Sequence, residues 1–360
     1  MIFQDNVLKE YLRNVYFVSG TACGGKFSVS KELGRLYGLK VYDIDREFQA
    51  HQALSDKNHQ PSMNRVFRNA DEFFGRTVED YKNWLIGNTR EQLEFVLLDL
   101  IRLSRNALVI CDCHLTAEEA SRLTDPSRVI FLINETDNII ESYCARPDHQ
   151  DFGEFIESAS DPENAKRICN ETLCELSRQR IAEIKNSGFL YVQRCHDLTI
   201  QDTAAIAAER FGLVHIYPVE KDTPLAEQLT EFVMNCSWLD VREHITELLR
   251  SWSFGENETM FAAVKDNRIV GMAALMMTDY YPLPEIYPYV TCIFVSEEAR
   301  GHSISGQLIA HANEYAKKMG FTRTYIPTDI AGLYEHYGYR YLRDIVNYGG
   351  DTDRLYAKEL

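Results

Sequence analysis

Five short apolar runs punctuate the first 212 residues: VYFVS (15–19), KVYDID (40–45), ALVICD (107–112), RVIFLIN (128–134) and FLYVQR (189–194). Between and after them lie stretches of helical character, about 29–37, 45–104, 135–187 and 202–211, the last ending at Gly212. Short apolar strands alternating with helices pair in parallel and are covered on both faces. This pattern predicts an α/β unit whose ligands bind beyond the carboxyl ends of the strands. Gly20, Asp43, Asp45 and Asp112 all fall there.

From His215 the texture changes. HIYPVEKD reads as a strand, and PLAEQLTEFVMNCSW and VREHITELLRSW read as two amphipathic helices. MFAAVKD, RIVGMAALMMTDYY and YPYVTCIFV follow as strands, then the helix SGQLIAHANEYAKKMG closed by Gly320. TRTYIPT reads as a strand, GLYEHYG as a short helix, and YRYLRDIVN and DRLYAKEL as two final strands. Several strands in sequence with few crossovers predict a mixed or antiparallel sheet. The boundary lies between Gly212 and Pro224, giving domains over 1–213 and 214–360.

Charge narrows the partners. A formal net charge of -16 disfavours general affinity for nucleic acid or an anionic membrane surface, since both need a basic face. No apolar run approaches a membrane span, and the N-terminus lacks a basic segment with an apolar core behind it. Nine cysteines are scattered along the chain, several (Cys111, Cys236, Cys292) inside apolar stretches. This usage is that of reduced thiols in a cytoplasmic protein. Cys111-Asp112-Cys113-His114 lacks a second pair at metal-ligand spacing, so it reads as a strand end and no structural metal is expected.

Two segments carry chemistry. In the first, Gly20-x4-Gly25-Lys26 joins an apolar strand to a helix. Glycines let backbone N–H groups turn around phosphate oxygens, the helix start adds positive potential, and the lysine reaches the outer phosphates. Gly20, Gly24, Gly25 and Lys26 supply these parts. The next residue, which would hold Mg²⁺ through a hydroxyl, is Phe27; Ser28 has a hydroxyl but sits one helix step, about 100°, further round. A plain glycine-rich turn is the alternative reading.

Residues 13–212 resemble P-loop kinases of the small-molecule and nucleoside-monophosphate type, on Gly20-x4-Gly25-Lys26, Asp43-Ile44-Asp45 and LVICD before His114. The resemblance implies that Asp43 or Asp45 contacts an acceptor and that Asp112 supports a metal; capping of the following helix is the other role open to each. It also implies lid arginines, for which Arg146, Arg167, Arg178 and Arg180 are candidates, and ATP or GTP with Mg²⁺ as ligand. Phe27 sets phosphate binding apart from Mg²⁺-dependent phosphoryl transfer.

The second segment is EEARGHSISGQLIAHANEYAKKMGF (297–321), preceded by TCIFV. It resembles motif A of the GNAT acetyltransferases, here Arg300-Gly301-His302-Ser303-Ile304-Ser305-Gly306, with serines at two positions usually held by glycine or alanine. Ala331-Gly-Leu-Tyr334-Glu-His-Tyr337-Gly338-Tyr339 matches a second element of that family. The resemblance covers 215–360. It implies that the 300–306 backbone binds the pyrophosphate of acetyl-CoA, that Ile293 and Val295 pair with the pantetheine arm, and that Tyr334 protonates the leaving thiolate. Tyr334 as an aromatic packed on the sheet is the alternative. The loop TDYYPLPEIYPY (278–289) offers Asp279 and Glu285 to a small-molecule amine and tyrosines to stack on it, or lines an apolar interface.

The expected architecture is therefore α/β: a P-loop kinase-like parallel sheet with helices on both faces, then a GNAT mixed α+β sheet. The expected function is acetyl transfer from acetyl-CoA to a small-molecule or peptide amine. The alternatives are a bifunctional kinase and acetyltransferase, or a non-catalytic nucleotide sensor that regulates the acetyltransferase. Oligomeric state is open.

Overall fold

Every residue of VYFVSG is buried in β1 (Val15–Gly20), and every residue of VIFLI in β4 (Val129–Ile133). Strands with no wet face must be covered on both sides, which parallel pairing with crossover helices achieves. The computed structural model, which describes residues 4–360 apart from 136, 138, 146–148 and 195–197, places these strands side by side. With β2 (Lys40–Asp43), β3 (Val109–Asp112) and β5 (Tyr191–Gln193) they form a five-stranded sheet in the order β2-β3-β1-β4-β5, every pair parallel. One compact unit holds this sheet: the chain up to Arg35, Leu39–Ser104 and Val109–Phe211.

The helices of this unit are α1 (Asp5–Tyr11), α2 (Lys26–Tyr37), α3 (Ile44–Leu54), α4 (Ala70–Phe74), α5 (Val78–Ser104), α6 (Ala117–Leu123), α7 (Ile139–Cys144), α8 (Gln150–Glu157), α9 (Pro162–Asn186) and α10 (Ile200–Phe211). The two long helical stretches read from the sequence are each broken. In 45–104 the chain leaves α3 at Ser55 and re-enters a helix only after Asn69, whose side chain accepts from Glu72 N at 2.9 Å. In 135–187, α9 starts afresh at Pro162, with the Asp161 side chain accepting from Asn164 N at 3.0 Å. Both are N-cap signals lying inside runs that look continuously helical. Val96 and Leu100 of α5 pack with Val109, Cys111 and Phe131 in the sheet's core.

A second apolar cluster joins Phe73, Phe74, Tyr81, Ile156 and Cys169. It encloses a cation. The Arg76 guanidinium lies 4.1 Å from the Tyr81 ring, 4.2 Å from Phe73, 4.4 Å from Phe67 and 4.9 Å from Trp84. Its Nε donates to Phe73 O at 2.6 Å, while Nη1 and Nη2 are buried without a hydrogen-bond partner among the described residues. Ring faces stand in for water around this charge.

The other unit comprises Leu36–Gly38, Arg105–Leu108 and Gly212–Leu360. Its strands are β6 (His215–Pro218), β7 (Thr259–Lys265), β8 (Arg268–Met276), β9 (Tyr289–Val295), β10 (Arg323–Thr328), β11 (Arg340–Val346) and β12 (Thr352–Glu359), in the order β11-β12-β10-β9-β8-β7-β6. The sheet is mixed: β9 and β10 pair in parallel, and the other pairs are antiparallel. Residue alternation sorts side chains between two layers. Phe261, Ala263, Ala273 and Leu275 face Leu308, Ile309 and Ala312 of α13 (Ile304–Lys318). Met260, Ala262, Met272 and Ala274 face Leu229 and Val233 of α11 (Pro224–Asn235) and Ile245 and Leu249 of α12 (Leu239–Ser251).

Candidate functional site

In the first unit, β1 turns into α2 through Thr21–Gly25. A Cβ at Gly20 would lie 1.9 Å from Leu132 O, and one at Gly24 2.6 Å from the same oxygen. These glycines are therefore required by the close approach of β4. Cys23 and Gly25 take left-handed backbone conformations, φ 55° and 83°. Lys26 is buried, and its Nζ donates back to Thr21 O at 3.2 Å, across the mouth of the loop. Phe27 is half-buried and Ser28 exposed. Arg194, which the sequence reading did not single out, lies beside Gly25: a Cβ there would sit 3.6 Å from Arg194 Nε, and Arg194 Nη1 donates to Thr203 Oγ1 at 2.8 Å. It ends the run FLYVQR, a position at the carboxyl end of a strand.

The acids arrange differently. Asp43 caps α3, accepting from Asp45 N at 3.0 Å and Arg46 N at 3.4 Å. Parallel register sets Asp43 beside Asp112, which is half-buried, whereas Asp45 is exposed. Of the lid candidates, Arg167 is held by Glu171 and Asn164 on an exposed helix face, and Arg178 is exposed. Arg180 turns inward and donates to His114 O. Arg146 lies outside the described residues.

In the second unit the central feature is a divergence of strands. β9 and β10 are in register at Tyr289 and Tyr325, with Tyr325 N donating to Pro288 O at 3.0 Å, and the ladder goes no further. On its other edge β9 stays paired to β8, with a bulge between Phe294 and Thr291 and Cys292 at φ 51°. Bulges re-aim strand groups beside sites. Ile293 and Val295 lie on this stretch, their side chains packed toward α13.

The chain then turns through Glu297–Arg300. Arg300 Nε donates to Val295 O at 3.2 Å and Nη2 to Glu297 Oε1 at 2.9 Å, tying the turn to the strand end. Gly301 (φ 85°) and Ser303 (φ 56°) are left-handed, and α13 begins at Ile304. His302 is exposed. Ser305 Oγ lies 3.1 Å from the Tyr337 hydroxyl, and Gly306 is buried beneath the same ring. Gln307 fixes the helix start, accepting from Val214 N and donating to Gly212 O, both at 3.0 Å.

Tyr334 opens a 3-10 turn, Tyr334–Tyr337, that follows β10. It is buried; burial pushes its phenol above the usual range, opposed by a side-chain hydrogen bond with Thr328 at the end of β10. Lys358 Nζ donates to Tyr337 O at 2.8 Å and holds the turn from below. Burial brings that ammonium down to about 8.

Asp279 and Glu285 part company. Glu285 is exposed and 3.7 Å from Arg343. Asp279 takes Tyr280 N on Oδ1 at 2.6 Å, while Oδ2 is buried without a hydrogen-bond partner among the described residues. Burial pushes this carboxyl up; the Tyr280 N–H, Thr291 and His244 oppose that, and Asp353 adds to it. Tyr289, whose hydroxyl is likewise buried and unpartnered, is pushed up to about 12 by burial and by Asp279. Asp353 accepts from Tyr281 at 2.7 Å. Asp353 and Thr291 were not singled out in the sequence, and Tyr337 was named there only as part of the 331–339 element. Only Tyr337 carried a local signal, standing one turn after Tyr334.

Residues 226–339 match the family model described as Acetyltransferase (GNAT) family. The chain thus carries a GNAT acetyltransferase domain in its C-terminal half. Among solved structures it is similar to the aminoglycoside 6'-N-acetyltransferase from Enterococcus faecium, at 17% identity over 40% of this chain and 96% of that one, TM-score 0.32. It is also similar to a GNAT family acetyltransferase from Elizabethkingia anophelis with acetyl-CoA bound, at 21% identity over 41% and 98%, TM-score 0.29. A third, an acetyltransferase from Streptococcus agalactiae, is 17% identical over 41% and 98%, TM-score 0.33. No curated relative matches the chain. Among the described residues no helix is long and apolar enough to cross a membrane.

Proposed function

We propose that the C-terminal unit transfers an acetyl group from acetyl-CoA to a small-molecule or peptide amine. The observation that carries this reading is the divergence of β9 from β10 ahead of the left-handed turn into α13. A diverging strand leaves backbone groups for an extended ligand, and a helix start offers unpaired N–H groups to phosphate. The residues present fit acetyl-CoA: a Cβ at Gly301 would meet nothing within 4 Å, so the backbone there is open to close approach. Backbone groups of Arg300–Gly306 would hold the pyrophosphate, and those of Ile293 and Val295 the pantetheine arm.

When bound, acetyl-CoA supplies a thioester carbonyl that the amine nitrogen attacks, an N–C bond replacing the C–S bond. Asp279 attracts the cationic amine and takes the proton that nitrogen must lose, directly or through water. Tyr334, held protonated by burial, gives its proton toward the departing sulfur and regains one from solvent. Titration calorimetry with acetyl-CoA tests the reading; absence of heat at millimolar ligand would sink it.

A second reading concerns the first unit. The left-handed turn at Cys23 and Gly25, the buried Lys26 and the neighbouring Arg194 favour binding of a nucleotide's phosphates. Phe27 removes the hydroxyl that would hold Mg²⁺, so ATP or GTP binding independent of Mg²⁺ is the expected behaviour, with a sensor favoured over a kinase. Melting with either nucleotide, with and without Mg²⁺, decides it.

A further inference from the structure

Two carboxylates meet where the loop between β8 and β9 packs against β12. Asp279 stands near the start of that loop and Asp353 on β12. Tyr281 links them. Its hydroxyl donates to Asp353 Oδ2 at 2.7 Å; burial pushes the phenol up, and the charges of Asp353 and Asp279 add to it. Asn347 Nδ2 also donates to Asp353 Oδ2, at 3.3 Å, and Asp353 Oδ1 accepts from no described residue.

An independent sign of a ligand comes from Tyr289. This residue is 1% exposed, yet its hydroxyl has no hydrogen-bond partner among the described residues. After burial, the charge of Asp279 is the largest influence on its phenol, so the hydroxyl and that carboxylate are neighbours. Asp279 Oδ2 is buried and unpartnered as well. Two buried oxygens side by side thus lack a donor, which is costly. An ammonium brings three N–H donors and a charge, and answers both.

One ammonium does not complete the match. Neither Asp279 nor Asp353 forms an ion pair among the described residues. Two bases face the group: His244 of α12 acts on Asp279, and Arg343 acts on Tyr289 but stands 3.7 Å from a third carboxylate, Glu285. A single ammonium at Asp279 leaves Asp353 unmatched, and Asp353 opposes ionisation of Asp279. A second ammonium on the same ligand removes both costs. The exposed rings of Tyr280 and Tyr348, 5.7 Å apart and tied by Tyr348 N donating to Tyr280 O at 3.2 Å, offer that cation their faces.

We infer that the acceptor amine is a dication, a diamine or longer oligoamine. One ammonium sits at Asp279 Oδ2 and Tyr289 Oη and gives its proton to Asp279 to become the nucleophile. The other stays charged against Asp353, beside Tyr280 and Tyr348. The inference rests on the acetyl-transfer reading and fixes the class of its acceptor.

Calorimetry on the full chain compares three probes of one chain length: the diamine putrescine, the monoamine butylamine and the amino acid γ-aminobutyrate. Putrescine should bind at least tenfold tighter than butylamine, because a second charged hydrogen-bonded pair is gained. The amino acid should bind more weakly than either. Asp353→Asn should bring the putrescine-to-butylamine ratio down to about one. Equal affinity of the two amines in the parent overturns the inference, and so does a ratio unchanged in Asp353→Asn. Tightest binding of γ-aminobutyrate also overturns it, since Arg343 would then own the second place. If Asp353→Asn does not fold, the parent's own ratio decides. Acetyl-CoA binding, titrated separately, keeps the two readings apart. A putrescine preference without acetyl-CoA binding supports the dication site and removes acetyl transfer. Acetyl-CoA binding with no preference among the amines does the reverse.

Discussion

The Tyr337 ring fills the space that a side chain at Gly306 would need: a Cβ on Gly306 would lie 2.6 Å from Tyr337 Cε1. The glycine of RGHSISG thus serves an aromatic of the next motif, and the two elements are one packed unit. Gly306→Ala must displace the ring and strain the Ser305–Tyr337 contact. Overpacking of this kind costs about 1–3 kcal/mol. Urea unfolding should show that loss, and Gly306→Ala with Tyr337→Leu should recover part of it. A single variant as stable as the parent would contradict the packing described.

Tyr334→Phe should lower kcat by about 10²-fold or more, the range of a lost general acid, with KM for acetyl-CoA little changed. Because burial raises this phenol, the parent enzyme should show no alkaline fall in kcat from Tyr334 below the ordinary tyrosine range. If Tyr334→Phe turns over at the parent rate, its role is packing against the sheet.

Asp279→Asn separates activity from stability. The folded carboxyl is raised above its unfolded value, so between those values the folded state holds more protons. Stability from this group therefore falls as pH rises through that window, and the ionised form at neutral pH is a cost. Asp279→Asn should leave the melting temperature unchanged or higher while kcat/KM for the amine drops by about a hundredfold, within the range for a lost base. In the parent, kcat/KM should fall as pH drops through a value above the ordinary aspartate range. A melting temperature lowered in step with activity would argue for a structural role.

Much of the architecture was legible because its signals are local. β1, β3 and β4 are buried on both faces over most of their length, so Val15–Val18, Val109–Cys111 and Val129–Ile133 are apolar without interruption. Asn69 and Asp161 start new helices inside runs that looked continuous, because a cap is a single side chain set within a periodic pattern. The mixed sheet was expected, but its divergence at Tyr289 and Tyr325 depends on two strands separated by the whole of α13. Likewise, nothing near Asp279 in sequence announces Asp353 or Thr291. Beyond burial and the adjacent Tyr280 N–H, the groups that shift its proton affinity come from distant elements: Thr291 and Asp353 from other strands and His244 from α12. Arg180, read as one of four exchangeable arginines, acquired its place only from the carbonyls of His114 and Leu115.

Lys358 gives a pH dependence of opposite sign. Its folded value of about 8 lies below that of an unfolded lysine, so the unfolded chain binds more protons between about 8 and 10.4. Stability from this group should rise with pH across that window. Lys358→Met should flatten the rise and loosen the turn that Lys358 holds through Tyr337 O. Melting temperatures across pH 7 to 10 for both proteins test this. An identical slope would show that the lysine is solvated.

Phe27→Thr restores the hydroxyl that the loop of the first unit lacks. Nucleotide affinity in the parent should be insensitive to Mg²⁺, and the variant should bind at least several-fold tighter with Mg²⁺ than without it. Fluorescent ATP analogues titrated with and without EDTA measure this. Mg²⁺ sensitivity in the parent would mean that another group, with Asp112 first in line, already holds the ion.

The aromatic box around Arg76 also supplies a readout. The chain has three tryptophans, and of these only Trp84 belongs to the first unit; Trp238 and Trp252 lie in the second. Trp84 donates its Nε1 to Ser62 O at 2.9 Å and carries a guanidinium 4.9 Å from its ring. With Trp238 and Trp252 replaced by phenylalanine, all indole emission would come from this one enclosed ring. The chain then has a built-in optical gauge for the helical region packed around Arg76.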